Sequence, residues 1–125
     1  MQPNQTSHPK RILYIEDDED TSEMVSLLLT RSNYEIISAD SFLEGLNLTK
    51  QSSFDLYLID HTLADGSGID LCRQIRSFDS KIPIVFCSGY ADEEHQRAAL
   101  DSGAQYYLSK PFDPDELIAL IKRLS

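Results

Sequence analysis

Short apolar runs alternate along this chain with segments whose apolar residues recur at helical spacing. The runs predict strands over residues 11–16, 34–39, 54–60, 81–87 and 104–109. The intervening and final segments predict helices that begin near residues 20, 41, 67, 92 and 113. Because parallel strands need crossover connections, this alternation predicts a parallel sheet with helices on both faces. The pattern therefore predicts an α/β fold of β–α units.

Residues with capping preferences mark the ends of several predicted helices. Asp20 and Glu23 have capping-box-like spacing at the start of the first helix, and Asp113 precedes Pro114 as the N-cap of the last. Gly103 is the expected C-terminal end of the fourth helix. The expected buried stripes are Met24, Val25, Leu28 and Leu29 in the first helix, Leu71, Cys72, Ile75 and Phe78 in the third, and Leu117, Leu120, Ile121 and Leu124 in the last.

Length and charge narrow the range of functions. We expect a polar N-terminal tail over residues 1–10 and one domain over 11–125, with no apolar run near the roughly 20 residues of a membrane span. The N-terminus lacks the apolar segment of a secretory signal, so we expect a cytoplasmic protein. A net charge of −10 argues against direct nucleic acid binding and against anionic membrane surfaces, and it favours cations.

The cysteines and histidines show no metal-ligand spacing. Cys72 and Cys87 are far apart and form no C-x-x-C motif, so we expect both in the core. His8, His61 and His95 are expected to be surface or loop residues.

Polar residues stand at the carboxyl ends of four predicted strands, where parallel α/β sheets place their sites. They are Glu16, Asp17, Asp18, Asp60, Ser88 and Lys110. Carboxylates about 4 Å apart repel by roughly 4 kcal/mol per pair at an effective dielectric near 20, so such a cluster requires a counter-charge. Oxygen ligands favour Mg²⁺, with Mn²⁺ tolerated. The sequence therefore predicts a divalent metal site at this edge.

A simpler interpretation is that the acids after the first strand only cap a helix, since its dipole stabilises negative charge there. We assign Glu19 and Asp20 to that role. It does not account for Asp60, which ends an otherwise apolar strand. Asp18 lies between the two roles, because three adjacent acids leave the register open by one residue.

Four motifs in this order resemble the receiver domains of response regulators in two-component signalling, of the chemotaxis-regulator type. They are ILYIEDDE, DLYLIDHTLADGSGID, PIVFCSGY and GAQYYLSKPF, and the resemblance covers about residues 11–124. It implies a single doubly wound, flavodoxin-like (βα)5 domain with a five-stranded parallel sheet in the order 2-1-3-4-5. It also implies a cis bond between Lys110 and Pro111.

The resemblance implies a Mg²⁺-dependent phosphorylation site. Asp60 corresponds to the phosphoacceptor and Lys110 to the lysine that binds the phosphoryl group. Asp17 would bind the metal together with Asp60 and the backbone carbonyl of Thr62, and Glu16 would act through a water.

The resemblance also implies a switch. Ser88 is the switch hydroxyl and Tyr107 the switch aromatic, while Thr62 and Tyr90 lie where the family tunes reaction rates. Phosphorylation would change the face built by the fourth helix, fifth strand and fifth helix.

The implied partners are a sensor histidine kinase or phosphotransfer protein as donor, and an effector or an output domain outside this chain. A homodimer through the same face is a further expectation. Apart from catalysing its own phosphorylation and dephosphorylation, the protein would not be a conventional enzyme.

Three other functions fit parts of this pattern. A phosphatase with an aspartate nucleophile needs a second Asp where Thr62 stands, and flavin phosphate would be repelled by the acids EDDED. A module that only binds partners would be favoured if Asp60 or Lys110 were missing, but both are present.

Overall fold

The central sheet has five parallel strands, numbered β1 to β5, in the order β2-β1-β3-β4-β5. They are β1 (Arg11–Ile15), β2 (Glu35–Ala39), β3 (Leu56–Asp60), β4 (Ile84–Ser88) and β5 (Tyr106–Ser109). The helices are α1 (Glu19–Arg31), α2 (Phe42–Gln51), α3 (Gly68–Phe78), α4 (Glu93–Asp101) and α5 (Pro114–Leu124). The predicted α/β fold and strand order 2-1-3-4-5 are confirmed.

The structure is a computed structural model that describes residues 9–90 and 92–124. The expected N-terminal tail, apart from residues 9 and 10, and His8 lie outside these ranges.

Two apolar clusters cover the two faces of the sheet. In β3, Leu56 and Leu58 belong to one cluster, and Tyr57 and Ile59 to the other, because successive strand residues point to opposite faces. The first cluster contains buried residues of α1 and α5, and the second contains buried residues of α3 and α4. Burial on both faces explains why β3 and β4 have no polar residue until each strand ends.

Two residues expected in the core are largely exposed. Met24 is 65% exposed on α1, where Val25 and Leu29 are buried and Leu28 packs partly buried against the same cluster. Phe78 is 48% exposed at the last residue of α3. A helix turns by about 100° per residue, so an apolar residue next to the buried stripe can point to solvent. Cys72 and Cys87 are both buried, as predicted.

The observed helix ends confirm two predicted caps and correct one. Gly103 follows α4 with a φ of +117°, a conformation that favours glycine, and Asp113 accepts a hydrogen bond from the backbone N–H of Asp115 at 2.9 Å. The N-cap of α1 is Asp18, which accepts from the backbone N–H of Thr21 at 3.0 Å, and the expected cap Asp20 lies inside the helix. The Lys110–Pro111 bond is cis, as expected.

Candidate functional site

The carboxyl ends of the strands bring most of the predicted polar residues together. Glu16 and Asp17 follow β1 directly, and Asp60 is the last residue of β3. Each of these three residues offers a carboxylate oxygen that lies within 4.8 Å of the other two. Such a set, with oxygen donors only, fits a hard divalent cation such as Mg²⁺.

Glu16 is the most deeply buried of these three carboxylate residues. It is 2% exposed and accepts hydrogen bonds from the hydroxyl of Tyr14 at 3.2 Å and the backbone N–H of Asp18 at 3.3 Å. Burial, followed by the charge of Glu16, raises the pKa of Tyr14, so the phenol stays protonated and donates. These contacts fix the carboxylate beneath the exposed Asp17.

Lys110, directly after β5, is the cation of the site. Its Nζ lies 2.6 Å from Oε1 of Glu16 and 3.5 Å from Oδ1 of Asp60. Burial alone would lower the pKa of Lys110, but the hydrogen bond with Glu16 and the charge of Asp60 raise it overall. The ammonium is therefore held between both acids, nearer to Glu16 than to the predicted phosphoacceptor.

Asp60 lies in an environment that opposes its charge. The residue is 8% exposed, and burial and then the charge of Glu16 raise its pKa to about 7, although Lys110 acts in the opposite direction. One ammonium does not balance three neighbouring carboxylates. A divalent cation would supply the missing positive charge, so the donor set fits the expected metal in charge as well as in chemistry.

Asp18 takes no part in the carboxylate group. Its side chain accepts from both the backbone N–H and the hydroxyl of Thr21, and these hydrogen bonds lower its pKa. Among the adjacent acids, Glu16 and Asp17 therefore face Asp60, while Asp18 caps α1.

The expected switch residues are both hydrogen-bonded to Tyr90. Ser88, 1% exposed at the end of β4, accepts from the backbone N–H of Tyr90 at 3.1 Å. The hydroxyl of the half-buried Tyr107 donates to the backbone carbonyl of Tyr90 at 2.5 Å. The backbone N–H of Lys110 donates to the carbonyl of Ser88 at 2.6 Å, which ties the lysine to the end of β4.

A small hairpin shapes the loop after Asp60. Two short antiparallel strands, Thr62–Leu63 and Gly66–Ser67, leave Thr62 exposed at the edge of the site. The side chain of Asp65 accepts from the backbone N–H groups of Phe42 and Leu43 at 2.7 and 3.1 Å, and these bonds lower its pKa. The loop is thereby joined to the start of α2.

Gly68 approaches the main chain of the candidate phosphoacceptor. A Cβ atom at this first residue of α3 would overlap the carbonyl oxygen of Asp60. Its N–H donates to the carbonyl of His61 at 2.8 Å. Only glycine allows α3 to begin this close to β3.

His61 lies in the loop after β3 and His95 is partly exposed on α4, in agreement with the prediction of surface or loop residues, but their rings belong to one cluster. The half-buried ring of His61 lies among the rings of Phe86, Tyr90 and His95. Burial, followed by the nearby His95, lowers the pKa of His61 and favours its neutral form. No spacing in the sequence signals this cluster, because its rings come from separate elements that only the fold brings together.

Comparisons with known proteins agree with the fold and show the family. The sequence model of the response regulator receiver domain matches residues 12–122. The cell cycle response regulator CtrA of Brucella abortus (strain 2308) is 38% identical over 111 residues, which cover 89% of this chain and 48% of that protein. The chain thus spans about half the length of the curated relatives it matches.

Solved structures show the same similarity. A CheY-like response regulator receiver domain protein from Methanospirillum hungatei JF-1 has a TM-score of 0.88 at 30% identity, and the match covers 92% of each chain. The response regulator protein TrrA from Thermotoga maritima, in complex with Mg(2+)-BeF, has a TM-score of 0.85 at 30% identity, with 93% of this chain and 99% of that chain covered. Within the described residues, no helix is long and apolar enough to cross a membrane.

Proposed function

Because this chain belongs to the response regulator receiver domain family of two-component signalling, we propose that it is a phosphorylation switch with Asp60 as phosphoacceptor. The observation that carries the proposal is the near-buried carboxylate of Asp60 beside Lys110, Glu16 and Asp17. A sensor histidine kinase or a phosphotransfer protein is the proposed donor.

The proposed reaction uses Asp60 as a nucleophile. One of its carboxylate oxygens attacks the donor's phosphorus, so a new O–P bond forms. The P–N bond of a phosphohistidine donor breaks, and its electron pair stays on the imidazole nitrogen. Lys110 neutralises one phosphoryl oxygen, for which its Nζ at 3.5 Å from Asp60 is suitably placed. The hydroxyl of Ser88 donates a hydrogen bond to another.

The metal that this family relationship suggests is Mg²⁺, with Mn²⁺ tolerated. Asp17, Asp60 and the backbone carbonyl of Thr62 would hold it directly, and Glu16 would act through a bound water. When bound, the cation supplies positive charge to the carboxylates and the phosphoryl oxygens. The fit of three carboxylates within 4.8 Å supports this assignment.

The proposed output is a change in the face formed by α4, β5 and α5. Phosphorylation draws Ser88 towards the phosphoryl group and lets Tyr107 rotate, while Thr62 and Tyr90 set the access of hydrolytic water. Going from 1:99 to 99:1 requires roughly 5.5 kcal/mol of preference for one state. Leu100 and Tyr106, 46% and 40% exposed, provide apolar contact area on this face for an effector, an output domain or a second copy of the chain.

The same proposal includes the expectations about nucleic acid binding, cellular location and enzyme activity. The net charge of −10 supports a domain that does not itself bind nucleic acid. We place it in the cytoplasm, where its kinase would present phosphohistidine. It catalyses its own phosphorylation and dephosphorylation and is not a conventional enzyme.

Acetyl phosphate with and without Mg²⁺ tests the proposal by intact-protein mass spectrometry. We expect a Mg²⁺-dependent gain of one phosphoryl group that Asp60→Asn abolishes. Asp70→Asn, at an exposed acid on α3, is the matched control and should be phosphorylated like the wild type. A gain that survives Asp60→Asn, or the absence of any gain in the wild type, contradicts the proposal.

A further inference from the structure

We propose that His61 is a positioning residue that couples the phosphoacceptor segment to the N-terminal turn of α4. This inference rests on the proposed function, since it concerns how a phosphoryl group on Asp60 changes α4. It adds a second connection to the one formed by Ser88 and Tyr107.

The ring of His61 is the centre of a cluster that joins three parts of the fold. Its centroid lies 6.0 Å from that of Phe86 in β4, 5.5 Å from that of Tyr90 in the loop after β4, and 5.2 Å from that of His95 in α4. All three contacts are edge-on, with interplanar angles of 67° to 72°. The residue that follows Asp60 therefore touches the helix of the proposed output face.

The α4 side of the cluster is well ordered by its own contacts. The rings of Tyr90 and His95 stack with centroids 4.2 Å apart and an interplanar angle of 8°. Asp92, the N-cap of α4, accepts from the backbone N–H of His95 at 3.2 Å, and its carboxylate lies 2.6 Å from Nδ1 of the same ring. A displacement of the His61 ring would therefore act on the first turn of the helix.

The main chain of His61 is fixed on the side of the phosphoacceptor. Its N–H donates to the carbonyl of Cys87 at 3.3 Å, and its carbonyl accepts from the N–H of Gly68 at 2.8 Å. Nδ1 of the ring is buried and has no hydrogen-bond partner among the described residues. The buried edge of the ring that carries Nδ1 therefore makes packing contacts and no hydrogen bond within the described residues. Phenylalanine, which keeps the ring and lacks the nitrogen, should be able to replace the imidazole.

Coupling between two sites is reciprocal, which gives a direct test. If the ring contacts link Asp60 to α4, a change at His95 must alter binding at Asp60, although His95 lies outside the carboxylate group. Ring contacts of this kind confer roughly two- to tenfold effects on an equilibrium.

The experiment measures the affinity for beryllium trifluoride, a phosphoryl mimic, in the presence of Mg²⁺, by amide NMR titration. The variants are His61→Ala, His95→Ala, both together, His61→Phe, and Arg97→Ala as control. Arg97 is exposed on α4 and pairs only with Glu93 among the described ion pairs. We expect a two- to tenfold change for each alanine variant at His61 and His95, and the wild-type affinity for Arg97→Ala and His61→Phe.

The double variant separates coupling from independent effects. If His61 and His95 act through one contact, the double variant changes the affinity no more than the larger single change. Additive changes, or a wild-type affinity for His95→Ala, overturn the inference. Failure of His61→Phe to restore affinity also overturns it. A wild type that binds no beryllium trifluoride instead refutes the proposed function itself.

Discussion

Replacing Asp60 with Asn is expected to stabilise the metal-free protein at neutral pH and above. Burial and the charge of Glu16 raise the pKa of this carboxyl from 3.8 to about 7. The folded protein therefore keeps a proton that the unfolded chain releases between these values, so stability falls as the pH rises through that interval. The loss of stability that ionised Asp60 causes is absent below about pH 4 and fully present above about pH 7.

The magnitude follows from the interval between 3.8 and about 7. Each pH unit corresponds to about 1.4 kcal/mol, so the ionised Asp60 costs the folded state on the order of 4 kcal/mol above pH 7. With 12% of the side chain exposed, solvent screens little of this penalty. Asparagine carries no charge, so the Asp60→Asn variant does not have this energetic cost. In the wild type, bound Mg²⁺ would lower the pKa of Asp60 and so reduce the same cost.

Urea denaturation followed by far-ultraviolet circular dichroism checks this expectation. The wild type, Asp60→Asn and the control Asp70→Asn are unfolded at pH 5 and pH 8 with a chelator present. The stability advantage of Asp60→Asn over the wild type should be about 3 kcal/mol larger at pH 8 than at pH 5, because two of the pH units below the raised pKa lie between these conditions, and Asp70→Asn should show no such change. An advantage that is equal at both pH values refutes the electrostatic reasoning.

Two further pairs of variants separate site residues from structural ones. Asp17→Ala should abolish Mg²⁺ binding in a calorimetric titration, whereas Asp18→Ala should keep it and lose about 1 kcal/mol of stability with its helix cap. If only the Asp18 variant loses the metal, the register is wrong. Gly68→Ala should lose roughly 1–3 kcal/mol in urea unfolding and phosphorylate poorly, because its Cβ would overlap the carbonyl of Asp60. Gly89→Ala, whose Cβ meets no atom within 4 Å, is the control and should behave as wild type.

The fold and the composition of the site could be predicted because both depend on local pattern. Runs such as those of β3 and β4 are apolar at every position until the strand ends, so the first polar residue marks the edge where the site lies. This pattern predicts Asp60 and Ser88 as site residues, and parallel pairing brings them to the same edge.

The details that the sequence did not reveal depend on orientation. Asp18 and Asp20 are equally suitable caps by composition, and only the direction of the chain leaving β1 places Asp18 against Thr21. Met24 matches helical spacing as well as Val25 does, but its position around α1 turns it to solvent. The ring cluster of His61 requires a tertiary structure, since none of its contacts is periodic in the sequence.

The two hydrogen bonds that Tyr90 makes through its main chain have a consequence for signalling. Ser88 accepts from its N–H and Tyr107 donates to its carbonyl, so both side chains depend on the position of a single residue. A displacement of the Tyr90 main chain would act on both bonds at once, so we expect Ser88 and Tyr107 to change partners together in each molecule. A population of such molecules would report signal strength as the fraction converted, not as a graded deformation of every copy.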